Sequence, residues 1–246
     1  MPDFLFGGIK IFAVINITGR KKFFYKVRGT EKNINGIKFL SVYAPEPKNQ
    51  KNIKHLSEVL KPYCGKIILP VKFENMPVIS KWEYDTLHFE RRVLISAFMD
   101  YCREERPKNV AVIGSGVLTP DFFADLSRYA ECITLPTAEY NEELLREVLN
   151  VSGTPLMFGD IFDNCDVALL LKNYPGAVLP RICCPVFKRD IFKEIKVPEG
   201  NVVLRQLQDF DPLKVSAAMF GEYGLKNVFD FWKTLVIKKN VIYNIL

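Results

Sequence analysis

Between Ile37 and Leu171, short apolar runs alternate with segments of helical period, and this alternation narrows the architectures open to the chain. The apolar runs are Ile67-Ile68-Leu69, Val110-Ala111-Val112-Ile113, Cys132–Leu135, Pro155–Phe158 and Val167–Leu171. Each is short and nearly continuous, as suits a strand buried on both faces. Between them, Ile53, Leu56, Val59, Leu60 and Tyr63 fall at helical spacing. So do Leu87, Leu94, Phe98 and Tyr101, then Phe122, Phe123, Leu126 and Tyr129, then Leu144, Leu145, Val148 and Leu149. Pro107 requires the second of these helices to end by Arg106. Strands that alternate with helices imply a mainly parallel sheet with helices on both faces.

The two ends read differently. Ile9–Ile17 and Phe23–Val27 read as strands joined by Thr18–Lys22, an N-terminal hairpin. Gly29–Gly36 is polar and turn-like, and Ile37–Tyr43 is a third strand. Beyond Tyr174, Ala177–Ile182 and Val202–Leu207 are candidate strands, while Phe73–Tyr84 is irregular. Asp211-Pro212 opens a helix, with Asp as N-cap and Pro in the first position. Leu225, Val228, Phe229, Trp232, Leu235 and Val236 trace a final amphipathic helix, after which Val241–Ile245 is strand-like. Residues 1–82 carry 15 Lys and Arg against 5 Asp and Glu, whereas residues 83–180 carry 8 against 16. This charge break suggests a basic N-terminal part, 1–82, and a second part, 83–246, within two domains or one continuous domain.

The run Val110-Ala111-Val112-Ile113-Gly114-Ser115-Gly116 ends a buried strand in Gly-x-Gly and precedes a helix. Glycines there let the backbone turn sharply and approach a phosphate. The pattern over residues 109–171 resembles the opening of a dinucleotide-binding Rossmann unit. The fold expected is therefore α/β: a Rossmann-like three-layer sandwich with a mainly parallel sheet, extended by the N-terminal hairpin. Three positions depart from the resemblance. Thr119 replaces the third glycine. Thr119-Pro120-Asp121 delays the helix, removes one donor and places a negative charge where a pyrophosphate wants a positive field. The second strand ends Thr134-Leu135-Pro136-Thr137, so the acid that would take ribose hydroxyls is missing there and Glu139 comes late. An S-adenosylmethionine site would need the same acid.

In a doubly wound sheet, ligands sit beyond the C-terminal ends of the strands. Those ends supply the candidate ligand-binding residues Gly114, Ser115, Gly116, Thr137 and Asp160. The acids Asp160, Asp163 and Asp166 lack the spacing of a calcium loop and read as a capped single turn facing water. Six cysteines without a CxxC pair, and two histidines (His55, His88), leave no zinc spacing, so no metal site is expected. Cys183-Cys184 would point to opposite faces of a strand, which favours a structural role over a redox one. Neither histidine lies in a nucleophile motif, and no catalytic residue is identifiable.

At 48% apolar and 25% charged, the chain is neither collagen-like nor wholly disordered. No run of 18 apolar residues and no basic leader occur, so a cytoplasmic chain without a membrane partner is expected. The function expected is the binding of a small molecule near the Gly114–Gly116 loop, with the cofactor unassigned. One alternative is an NAD(P)-dependent oxidoreductase on the same loop, although Asp121 and the missing strand-end acid oppose tight dinucleotide binding. The other is a protein or nucleic-acid interaction module built on the basic N-terminal part. There Arg20-Lys21-Lys22 precede Phe23, Phe24 and Tyr25, but a solvated hairpin end explains them, so nucleic acid is not the expected partner. A homo-oligomer is compatible with the apolar C-terminus.

Overall fold

The computed structural model of the chain describes residues 12–18, 26–34, 37–60, 67–68, 86–160, 162, 164–172, 184–195, 210–224 and 226–242. The chain divides into two compact units, residues 1–89 with 196–229 and residues 90–195 with 230–246.

The first unit holds β1 (Phe12–Thr18), β2 (Arg28–Ile34), β3 (Ile37–Pro45), α1 (Gln50–Leu60) and β4 (Ile67–Ile68). Its sheet runs β2-β3-β1-β4. β1 is parallel to both β3 and β4, and β2 is antiparallel to β3. Ala13, Val14 and Ile15 of β1, and Phe39, Leu40, Ser41 and Val42 of β3, are all buried. Adjacent strand residues face opposite ways, so these strands are covered on both faces. The polar side chains among them are paired: Asn16 Nδ2 donates to Ser41 Oγ at 2.8 Å.

The hairpin lies elsewhere than expected. β1 pairs with β3, the hairpin is β2–β3, and residues 19–25, the bulk of the expected loop and second strand, lie outside the described residues. Most of the stretch expected to be a turn, Gly29–Gly36, is strand. β2 sits at the sheet edge with Thr30, Glu31, Lys32 and Asn33 exposed. An edge strand in water has no apolar face to betray it, and its charges discourage pairing with other chains. Gly29 belongs to the strand through its pairing with Val42, and a Cβ there would stand 3.3 Å from Leu40 Cδ1.

The second unit contains most of α2 (Leu87–Glu105), then β5 (Asn109–Ile113), α3 (Pro120–Leu126), β6 (Cys132–Leu135), α4 (Glu142–Ser152), β7 (Leu156–Phe158), β8 (Val167–Leu170), β9 (Val186–Lys188) and α5 (Ile191–Glu194). All its strand pairs are parallel, in the order β7-β6-β5-β8-β9. Counted along the chain this is 3-2-1-4-5, the first five strands of the doubly wound order. The fold is Rossmann-like α/β. The alternation over Ile37–Leu171 feeds two sheets instead of one, because β3 and β4 pair within the first unit. On one face of the second sheet, Ala111, Ile113 and Ala168 pack around Phe162, with Cys165 and Cys184 beside them. On the other, Phe187 meets Phe98 and Tyr101 of α2, with ring centroids 5.6 and 5.4 Å apart. Burying a ring such as Phe98 contributes ~1.5–3 kcal/mol.

Two helices complete the described chain. α6 (Pro212–Tyr223) packs against β1. Asp211 caps it, accepting the Leu213 and Lys214 N–H groups at 2.8 and 3.3 Å. α7 (Lys226–Ile242) includes Val241 and Ile242, so the strand expected over Val241–Ile245 is a helix for its first two residues. Asn240 lies within this helix, and its buried side chain donates to the Val236 carbonyl at 3.0 Å. The strands expected over Ala177–Ile182 and Val202–Leu207, and residues 243–246, lie outside the described residues. Among the described residues, no helix is long and apolar enough to cross a membrane.

Candidate functional site

The order 3-2-1-4-5 reverses between β5 and β8, and the loops after these two strands mark the switch point. β5 ends at Ile113 and turns at Gly114, whose φ of +92° lies in the left-handed region. Two constraints select glycine. A side chain disfavours that φ, and a Cβ there would lie 2.8 Å from the Lys172 nitrogen. The loop after β8 is thus packed directly on the loop after β5, tied below by the Leu171 N–H donating to the Ile113 carbonyl at 2.8 Å.

Ser115–Val117 then form a 3-10 turn, and α3 starts at Pro120. Thr119 takes the N-cap position as expected, but its side chain makes no capping hydrogen bond. Gly116 differs from Gly114. Its φ is not left-handed, and a Cβ there would meet nothing within 4 Å. Open space lies beside the loop at this position.

The late acid Glu139 returns to the glycine loop. Pro136 ends β6, and Thr137–Glu139 form a 3-10 turn that carries the carboxylate back over the glycine loop. One Glu139 oxygen accepts the Gly114 N–H at 2.8 Å. The other accepts the Ser115 N–H at 2.7 Å and the Ser115 hydroxyl at 2.5 Å. Asp160, after β7, accepts the Thr137 N–H at 3.0 Å and so holds the turn that presents Glu139. Two carboxylates therefore tie together the loops after β5, β6 and β7.

Of the sequence-derived candidates, Gly114 and Ser115 are buried and bonded to Glu139. Gly116, Thr137 and Asp160 are exposed, and Thr137 enters through its backbone N–H. Glu139 was not among those candidates. Its signal was the proline before a three-residue turn, which brings a late residue back to the strand end. Tyr140, which follows, is 59% exposed and packs edge-on against Phe158 at 5.0 Å. With exposed Val117 it lends this edge of the sheet an apolar element.

Of the other two acids of the Asp160–Asp166 run, Asp163 lies outside the described residues, and Asp166 does more than face water. Asp166 Oδ2 accepts the Asn109 N–H at 2.8 Å, and the Asp166 N–H donates to the Asn109 carbonyl, so the pair aligns β8 with β5. Burial pushes the Cys102 thiol up to about 12 and the Cys165 thiol up to about 11, leaving both protonated near neutrality. Cys184 packs on the sheet, and Cys183 lies outside the described residues. His55 and His88 are exposed. Among the described residues, no group of three His, Cys, Asp or Glu is placed to hold a metal ion.

No family model and no curated protein matches the sequence. Among solved structures, that of L-tryptophan dehydrogenase from Nostoc punctiforme is similar in part. It is 11% identical over 85% of this chain and 71% of that one, with a TM-score of 0.40.

Proposed function

We propose that the second unit binds a small molecule at the switch point, with Glu139 as its principal polar contact. The observation that carries this reading is the Glu139 carboxylate, held across the glycine loop where the strand order reverses. A carboxylate oxygen can accept two hydrogen bonds, and the oxygen on Gly114 has one donor from the loop. A ligand hydroxyl or amine has an acceptor there. Gly116 leaves space for its approach, and exposed Tyr140 offers an aromatic face.

The charges favour a ligand without phosphate. Glu139 already occupies loop donors, and the exposed Asp121 and Asp160 add like charge. A neutral or cationic molecule with vicinal hydroxyls and a planar part, such as a nucleoside, fits better than a dinucleotide. No catalytic group is assigned. Calorimetric titration with adenosine, NAD and NADP tests the reading. Adenosine is expected to bind, and to lose most of its affinity in Glu139→Ala. Micromolar binding of NAD or NADP would overturn this reading and favour the NAD(P)-dependent oxidoreductase. Adenosine binding that Glu139→Ala leaves intact would move the ligand elsewhere.

A further inference from the structure

The three donors that hold Glu139 form a preorganised anion cradle. The Gly114 and Ser115 N–H groups and the Ser115 hydroxyl converge on one carboxylate at 2.8, 2.7 and 2.5 Å. Successive backbone N–H groups at a left-handed turn make an anion-binding concavity. Its shape does not depend on Glu139 alone. Gly114 is fixed by its close approach to the Lys172 backbone, and Leu118 N–H closes the following turn on the Ser115 carbonyl at 2.8 Å. With Glu139 in place Ser115 is 3% exposed, so the carboxylate completes the enclosure of its hydroxyl.

We infer that Glu139 is the selectivity residue of this site: it fills an anion cradle from within and so keeps phosphate-bearing molecules out. This deepens the reading of the switch point as a ligand site and rests on that reading. An anion in solution must displace a carboxylate tethered a few residues from the loop it binds, at high effective concentration. It must also approach that carboxylate as a like charge. Removing the side chain lifts both obstacles, and Lys172, whose backbone adjoins Gly114, contributes positive charge to the paired loop. The cradle would then accept a phosphate oxygen as helix and strand ends do elsewhere.

The test uses inorganic phosphate and amide NMR of the full chain, and no organic ligand. In the Glu139→Ala variant, phosphate is expected to shift the Gly114 and Ser115 amide signals saturably. The apparent affinity should exceed that of the unaltered protein by about tenfold or more. Glu139→Gln keeps an acceptor on the loop but removes the charge, and is expected to fall between the two. It also serves if the alanine variant does not fold. Equal phosphate shifts in the unaltered protein, or none at these amides in either folded variant, would overturn the inference. Because adenosine is absent, the ligand reading fails or stands separately: saturable phosphate binding in the variant without any adenosine binding in the unaltered protein sinks only the former.

Discussion

At the scale of single residues, Gly114 and Gly153 both have positive φ, +92° and +70°, yet their surroundings differ. An alanine at Gly153, the C-terminal cap of α4, would meet nothing within 4 Å and carries only the left-handed penalty of ~1–2 kcal/mol. An alanine at Gly114 carries the same penalty and also drives a methyl into the Lys172 backbone. Gly114→Ala is therefore expected to cost about 3 kcal/mol or more, and Gly153→Ala about half that or less. Urea denaturation of the two variants decides, and equal losses would refute the close approach of the two loops. The sequence showed this glycine loop plainly, because Gly-x-Gly after a buried strand is a local signal. It hid Glu139, because a side chain's reach depends on a 3-10 turn and on Asp160 holding that turn from another strand. Spacing along the chain does not encode that tertiary bond.

Among the elements, two helix starts that look alike in sequence behave differently. Thr119-Pro120 and Asp211-Pro212 both place a capping residue before a first-turn proline. Asp211 accepts two backbone N–H groups, whereas the Thr119 side chain accepts none. Asp211→Ala is expected to lower stability by about 1 kcal/mol, and Thr119→Ala by under ~0.5 kcal/mol. Denaturant midpoints at constant m-value measure both, and a larger loss at Thr119 would contradict the capping geometry. The same contrast explains which elements were legible. Val110–Ile113 and Val167–Leu169 are buried on both faces, and Cys132–Leu135 buries Ile133 and Leu135 with Cys132 and Thr134 half-buried, so composition marks these strands. β2 is polar on both faces and resembled a loop. The sequence marks β1 as a strand and suggests its neighbour in the chain as partner, whereas β1 pairs in parallel with β3, and β2 lies on the far side of β3. Periodicity identifies a strand and the side it buries; it does not choose its partner.

For the molecule as a whole, the buried thiols set a limit at alkaline pH. Burial raises Cys102 from 9.0 to about 12. Burial, with the nearby Cys132 and Asp166 charges, raises Cys165 from 9.0 to about 11. A thiol is neutral when protonated, so the folded state retains these protons to a higher pH than the unfolded chain. Above the unfolded value near 9, the unfolded chain binds fewer protons, and stability falls as pH rises. The fall continues until the folded thiols themselves ionise, near 11 for Cys165 and near 12 for Cys102. Each fully buried thiol contributes a slope of up to ~1.4 kcal/mol per pH unit in that window. Cys102 is 0% exposed and should approach this limit, while half-buried Cys165 contributes less. Below pH 8 neither thiol contributes a slope. The expected result is a denaturation midpoint that these thiols leave flat from pH 7 to about 8.5 and that drops through pH 10. Cys102→Ala starts less stable because a buried group is lost, but its midpoint should decline more gently over the same range. Parallel declines in the two proteins would show that the alkaline loss comes from groups other than Cys102.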